Sequence, residues 1–136
     1  QGAIADYNKA IAINPQYAAS YNNRGTTKYY LGDTQGAFSD YNKALAINPQ
    51  IALAYYNRGI AKGRSGEHQG AIADYNKAIA INPQYAAAYF NRGTPKYYSG
   101  DTQGACADYK KAASLGDQSA AQYLNSENGA WCRYMR

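Results

Sequence analysis

The nineteen residues QGAIADYNKAIAINPQYAA that open the chain return unchanged at Gln69 to Ala87. The near-copies QGAFSDYNKALAINPQ and QGACADYKKAASLGDQ start at Gln35 and Gln103, so Gln1, Gln35, Gln69 and Gln103 open four units of 34 residues. Strict self-similarity at this period outranks every other reading of a sequence. A unit this short cannot bury an apolar face alone. Each must pack on its neighbours, and the core becomes a line of small contacts.

Inside a unit the apolar pattern is helical. Ala37, Tyr41, Ala44 and Leu45 recur at steps of four, three and one, which puts them on one helix face. The following NPQ stops that helix, because proline disfavours helix in the residue before it and cannot donate the continuing bond. Tyr17 to Leu31 reads as a second helix. It ends at Gly32-Asp33-Thr34, where glycine permits a left-handed cap and Asp33 or Thr34 can cap the next helix. Each unit is therefore two helices and two short turns, with no sustained alternation of period two. The 46% hydrophobic content leans on Ala and on 16 Tyr, with only 2 Phe and 1 Met, which predicts closely spaced helices. No apolar run approaches the roughly 20 residues that span a bilayer, so the chain reads as soluble, its compartment open.

These residues resemble the tetratricopeptide repeat family. Its pattern asks for an aromatic, a Leu-Gly pair, Tyr, then Ala, a further aromatic and Pro at set spacings. The chain offers Tyr21, Arg24, Gly25, Lys28, Ala37, Tyr41 and Pro49, with matching sets from Tyr55 to Pro83 and from Tyr89 to Tyr109. The resemblance implies an all-α fold, a right-handed superhelical α-solenoid of antiparallel helix pairs. It also implies that Gly25, Gly59 and Gly93 meet Ala37, Ala71 and Ala105 at close approach. Arg24, Arg58 and Arg92 replace the usual Leu, and Lys28, Lys62 and Lys96 the usual Tyr; their long stems cover apolar surface while the charge reaches water or a carboxylate.

In this register residues 1–17 are a second helix without its first, complete units run over 18–51, 52–85 and 86–119, and 120–136 is a capping helix and tail. The tail GAWCRYMR falls outside the period, and its end is expected to be loosely ordered. Pro95 lies within a first helix, where a local bend is expected. The opening helix presents Ala3, Tyr7, Ala10 and Ile11, which predicts head-to-tail self-association between residues 1–14 of one copy and 119–125 of another.

Little in the sequence converges toward catalysis, and the reading is of a protein that is not an enzyme, with no cofactor and no metal. The sole histidine, His68, reads as a solvated residue of the turn GEHQG. Cys106 occupies the position of Ile72 and reads as a small buried hydrophobe. Cys132 lies in the tail, and the two cysteines fit neither a zinc pattern nor a disulfide framework, which is compatible with a reducing compartment. GDTQG lacks the lysine of a phosphate loop. Asp6, Asp40, Asp74 and Asp108 each precede Lys by three residues and read as solvated helix pairs worth a few tenths of a kcal/mol.

What remains is a surface. By resemblance the first helices line a concave groove, and Asn23, Asn57, Asn91 and Asn125 recur on it at the full period. Such an asparagine ladder grips the backbone of an extended peptide in some members of the family, since an amide both donates and accepts. Around it stand Asn22, Thr26, Tyr29 and Tyr30, then Tyr56, Ile60 and Arg64, then Phe90, Thr94, Tyr97 and Tyr98, an aromatic and nearly neutral lining of the kind favoured in binding. The family's lysine-rich clamp for a terminal carboxylate is missing, because the comparable positions hold Ala19, Asn22, Leu53, Tyr56, Ala87 and Phe90. A protein or peptide ligand is therefore the leading partner. Single-stranded nucleic acid, suggested by the net charge of +5 and the tyrosines, is the weaker rival, because the cations recur once per unit instead of gathering on one face.

Overall fold

The computed structural model describes residues 2–135. Among these the chain forms α1 (Gly2–Ile13), α2 (Ala18–Tyr30), α3 (Thr34–Ile47), α4 (Ala52–Arg64), α5 (His68–Ile81), α6 (Ala86–Tyr98), α7 (Thr102–Ser114), α8 (Gln118–Asn125) and α9 (Ala130–Arg133). The described residues contain no helix long and apolar enough to cross a membrane.

Turn chemistry sets this alternation. In each NPQ the asparagine side chain folds forward to accept a backbone bond, Gln50 N–H reaching Asn48 Oδ1 at 3.0 Å and Gln84 N–H reaching Asn82 Oδ1 at 3.2 Å. The other turns use a left-handed glycine, Gly32 at φ +91° and Gly100 at φ +93°. The next helix is then capped by Asp33 or Asp101, whose carboxylates accept from Gly36 N–H at 2.9 Å and Gly104 N–H at 2.8 Å. Asp117, standing where earlier units have Pro49 and Pro83, caps α8 by accepting from Ala120 N–H at 2.8 Å. Helix α6 runs on through Pro95 to Tyr98.

Helices α2 and α3, α4 and α5, and α6 and α7 form antiparallel hairpins that stack in order into an α-solenoid. Small residues bring them close: Ala37, Ala44, Ala71, Ala78, Ala105 and Ala112 are wholly buried. Gly25 does approach Ala37, whose carbonyl a Cβ there would meet at 3.2 Å, but the tyrosine rings are nearer to all three glycines of the first helices. A Cβ on Gly59 would sit 2.8 Å from Cε1 of Tyr75, and on Gly93 2.5 Å from Cε1 of Tyr109, whereas Ala71 lies nearest Gly63. The tyrosine ring occupies the space a side chain on the glycine would need, so the large and small residues of one hairpin interdigitate. Gly59→Leu is therefore expected to overpack this contact and cost roughly 1–3 kcal/mol, measured by urea denaturation. An unchanged midpoint would mean the hairpin does not close over Gly59.

Three of the four repeated aspartates are not solvated helix pairs; of the four, Asp6 alone is exposed. Asp40, Asp74 and Asp108 are 3–4% exposed. Each takes a two-pronged bond from the arginine sixteen residues earlier, Arg58 Nε and Nη2 reaching Asp74 at 2.8 and 2.7 Å. Lys62 adds a third contact at 3.4 Å. Arg58 also donates to Asn42 of the preceding unit at 2.7 Å, so one guanidinium ties α3, α4 and α5 together. Arg24 and Arg92 repeat the arrangement with Asp40 and Asp108. The lysine three residues further on lies on the outer helix face and plays no part.

The tail also departs from expectation. Cys106 and Cys132 form a disulfide, with Cα atoms 5.4 Å apart, which corrects the reading of two unpaired thiols. Around it Trp131 Nε1 donates to Tyr123 OH at 3.0 Å, and Arg133 donates to the carbonyls of Leu124 and Ser126 at 2.7 and 2.9 Å. Cys132 is fully buried beside Cys106 and Tyr109. Residues 129–133 are thereby fastened to α7 and α8, while Arg136, at the end of the tail, lies outside the described residues. At the other end Ala3 is exposed and Tyr7 and Ala10 are half-buried, although their counterparts Ala71, Tyr75 and Ala78 are buried.

Candidate functional site

Three hollows divide the residues singled out from the sequence. Asn22 and Asn23 border one of about 430 Å³ with Ile47, Ile51 and Leu53. Asn125 borders another, about 400 Å³, with Gln118, Ala121 and Gln122. Tyr30, Tyr56, Arg64, Asn91 and Tyr98 meet around a third of about 440 Å³, contributed by α2, α4 and α6 and floored by Ile60 and Tyr75. The asparagine series is thus not a uniform row: Asn91 borders the central hollow, while Asn57 lines none of the three.

Those two are held by their neighbours. Asn57 Nδ2 donates to Asn22 Oδ1 at 3.2 Å and Thr26 Oγ1 at 3.3 Å. Asn91 Nδ2 donates to Tyr56 OH at 2.7 Å and to its own helix at Ala87 O, 3.0 Å. Each amide nitrogen therefore links one first helix to the one before, or locks its own side chain, and the orientation leaves each Oδ1 as the acceptor that points away from those bonds.

Aromatic rings surround the amides. Tyr56 lies 5.9 Å from Tyr75 and 4.9 Å from Tyr85 between ring centroids. Burial raises the Tyr56 phenol above its ordinary pKa, opposed by the bond from Asn91. Burial, with Tyr56 as neighbour, pushes Tyr85 to about 12 and Tyr75 further up. These phenols stay neutral hydrogen-bonding groups at physiological pH. Tyr29 lies edge-on to Tyr30 and beneath Arg64, whose guanidinium is 5.8 Å from the Tyr29 ring centroid and donates to its hydroxyl at 3.4 Å. That bond, first, raises the Arg64 pKa. Tyr97 packs on Trp131 of the cap at 5.3 Å, and Phe90 packs on Tyr109 at 5.6 Å in the last hydrophobic cluster.

Sequence reasoning missed four lining residues: Gly63, His68, Tyr75 and Pro95. His68 is not a solvated turn residue. It opens α5, stacks on Tyr98 at 5.5 Å with ring planes 19° apart, and buries Nδ1 without a hydrogen-bond partner among the described residues. Tyr75 serves both the core and the hollow. The readable signal was a break in the period, since KGRSGEHQG stands where the flanking units have KYYLGDTQG and KYYSGDTQG. Among the described residues no cluster of His, Cys, Asp or Glu could hold a metal ion.

A family model described as TPR repeat matches residues 1–32, 27–66 and 64–94. The crystal structure of MamA is similar with a TM-score of 0.80 at 26% identity, over 96% of this chain and 80% of that one. The second TPR of Spaghetti (RPAP3), solved bound to the HSP90 peptide SRMEEVD, is similar with a TM-score of 0.72 at 27% identity, over 75% of this chain and 94% of that one. The first TPR of the same protein, bound to the same peptide, gives 0.73 at 25% identity, over 82% and 95%. No curated protein matches the chain.

Proposed function

The chain belongs to the TPR repeat family, and from that premise we propose that it is a protein-interaction scaffold whose central hollow holds an extended segment of a partner protein. One observation carries this reading. Asn91 at the hollow and Asn57, tied to the preceding first helix, are fixed through their nitrogens, which leaves two immobilised carbonyl acceptors for a backbone lying along the first helices, at little entropic cost. The rings of Tyr30, Tyr56 and Tyr98 supply rigid contact area beside them. The solved neighbours that hold a peptide support the same use of the groove.

Such binding does not need a charged clamp. Positions comparable to a lysine-rich carboxylate clamp carry Leu53, Tyr56, Ala87 and Phe90, so recognition falls to amides, hydroxyls and rings, with Arg64 as the one cation of the hollow among the described residues. Six of the cations, Arg24, Lys28, Arg58, Lys62, Arg92 and Lys96, are tied to aspartates, which leaves nucleic acid less of the positive surface it requires.

Peptides selected from a random-peptide phage library on the intact chain provide the test. Replacing Asn57 and Asn91 together by Ala is expected to weaken the selected peptides by about 1–3 kcal/mol, counting roughly 0.5–1.5 for each hydrogen bond. Circular dichroism should show the helices retained. Equal affinity with and without the amides would leave them as ties between helices only.

A further inference from the structure

The period breaks in one place, and the break is concentrated around one hollow. Tyr29-Tyr30 and Tyr97-Tyr98 end the flanking first helices, while Gly63-Arg64 ends α4. Thr34 and Thr102 open α3 and α7, while His68 opens α5. Gly63, Arg64 and His68 all line the central hollow, between Tyr30 on one side and Tyr98 on the other. In the same turn Glu67 makes no side-chain cap bond, although Asp33 and Asp101 do.

Packing does not demand these departures. A Cβ on Gly63 would meet only the Ala71 Cβ, at an ordinary 3.7 Å. A tyrosine there would keep the period and fill the space, so the glycine acts by leaving room. His68 adds a buried Nδ1 without a partner, the sort of atom a purely structural wall avoids.

The chemistry of the lining has a sign. Among the described residues no carboxylate lines the hollow. Arg64 forms no salt bridge with a described residue, unlike Arg24, Arg58 and Arg92. Its guanidinium is steadied from one side by Tyr29, which leaves further N–H groups of the fork unclaimed. Tyr56 OH accepts from Asn91 and so keeps its own proton to donate. Donors and one positive charge thus gather over an aromatic floor.

Resting on the scaffold reading above, we infer that this hollow takes the side-chain carboxylate of an aspartate or glutamate in the bound segment, received by Arg64 and flanked by Tyr30, Tyr56 and Tyr98. It serves as the register mark of the groove. A peptide on a purely periodic surface can shift by one unit and find equivalent contacts; a single charged slot permits one placement. The site differs from a clamp on a chain terminus in having one cation at the middle unit.

The selected phage peptides, titrated by fluorescence anisotropy against the intact chain, decide the matter. Asp or Glu should recur at one peptide position, and changing it to the amide should weaken binding roughly tenfold or more, as charge-assisted bonds do. Arg64→Gln should cause a similar loss, and the amide peptide should lose nothing further on that variant. Gly63→Tyr, which restores the sequence of the flanking units, should abolish binding while the melting temperature holds or rises. Peptides that depend on Asn57 and Asn91 but are indifferent to Arg64→Gln would overturn the carboxylate slot and leave the scaffold reading standing. Failure to select any peptide that the asparagine variants weaken would overturn both.

Discussion

Asp74→Ala is expected to destabilise the chain by about 3 kcal/mol, the lower part of the range for breaking a buried charge pair. The carboxylate is 5% exposed and receives three cationic contacts, two from Arg58 and one from Lys62. Deleting it leaves two positive groups that are 19% and 25% exposed facing a wall without an acceptor. Because each can turn partly toward water, the upper part of the range is not expected. The loss has a second component, since Arg58 also bridges to Asn42 of the preceding unit and a guanidinium freed from Asp74 no longer holds that geometry. Asp6→Ala is the internal control. It is the same residue of the same repeated phrase, yet it is exposed, so its replacement should fall within about 0.5 kcal/mol of the parent. Urea denaturation of the two variants measures the difference, and similar midpoints for both would mean the three-cornered pairs contribute nothing to stability.

The contrast between Asp6 and Asp74 also marks where sequence reasoning reached its limit. The period, the helix pair and the GDT and NPQ turns are local chemistry, written in residues that touch within one turn, and they were legible. The partner of Asp74 is sixteen residues away on the other arm of the hairpin, while a lysine three residues away offered a nearer and wrong answer. The co-recurrence of Arg24 with Asp40, Arg58 with Asp74 and Arg92 with Asp108 at constant spacing was the available signal. Gly59 went the same way: its contact is the ring of Tyr75 rather than the methyl of Ala71, because a helix crossing is decided by side-chain direction as well as by spacing. At the groove, Tyr30, Tyr56, Arg64, Asn91 and Tyr98 were legible as one face, but Tyr75 and His68 enter from α5. A reading confined to first helices had no means of placing them.

The second large effect is expected at the cap. Cys132 lies outside the period and Cys106 inside it, so no spacing rule pairs them, yet they are joined across 26 residues. Closing a loop of that length removes chain entropy from the unfolded state worth about 3–4 kcal/mol. Reduction, or Cys132→Ser, should cost roughly that much. The loss should be local before it is global, because each unit of such an array leans only on its neighbours. Freed from Cys106, α9 retains Trp131 to Tyr123 and Arg133 to the carbonyls of Leu124 and Ser126, bonds too few to hold a four-residue helix alone. Hydrogen exchange should therefore accelerate first in α8, α9 and the face of α7 around Cys106 and Tyr109, while α3 to α5 keep their protection. A chain whose denaturation midpoint and exchange pattern stay the same after the bond is cleaved would show that side-chain packing, not the disulfide, fastens the cap. With the expected result, α9 is secured only where surroundings are oxidising enough to keep the bond, and its release would uncover the aromatic cluster of Tyr109, Tyr123 and Trp131 on which Tyr97 packs.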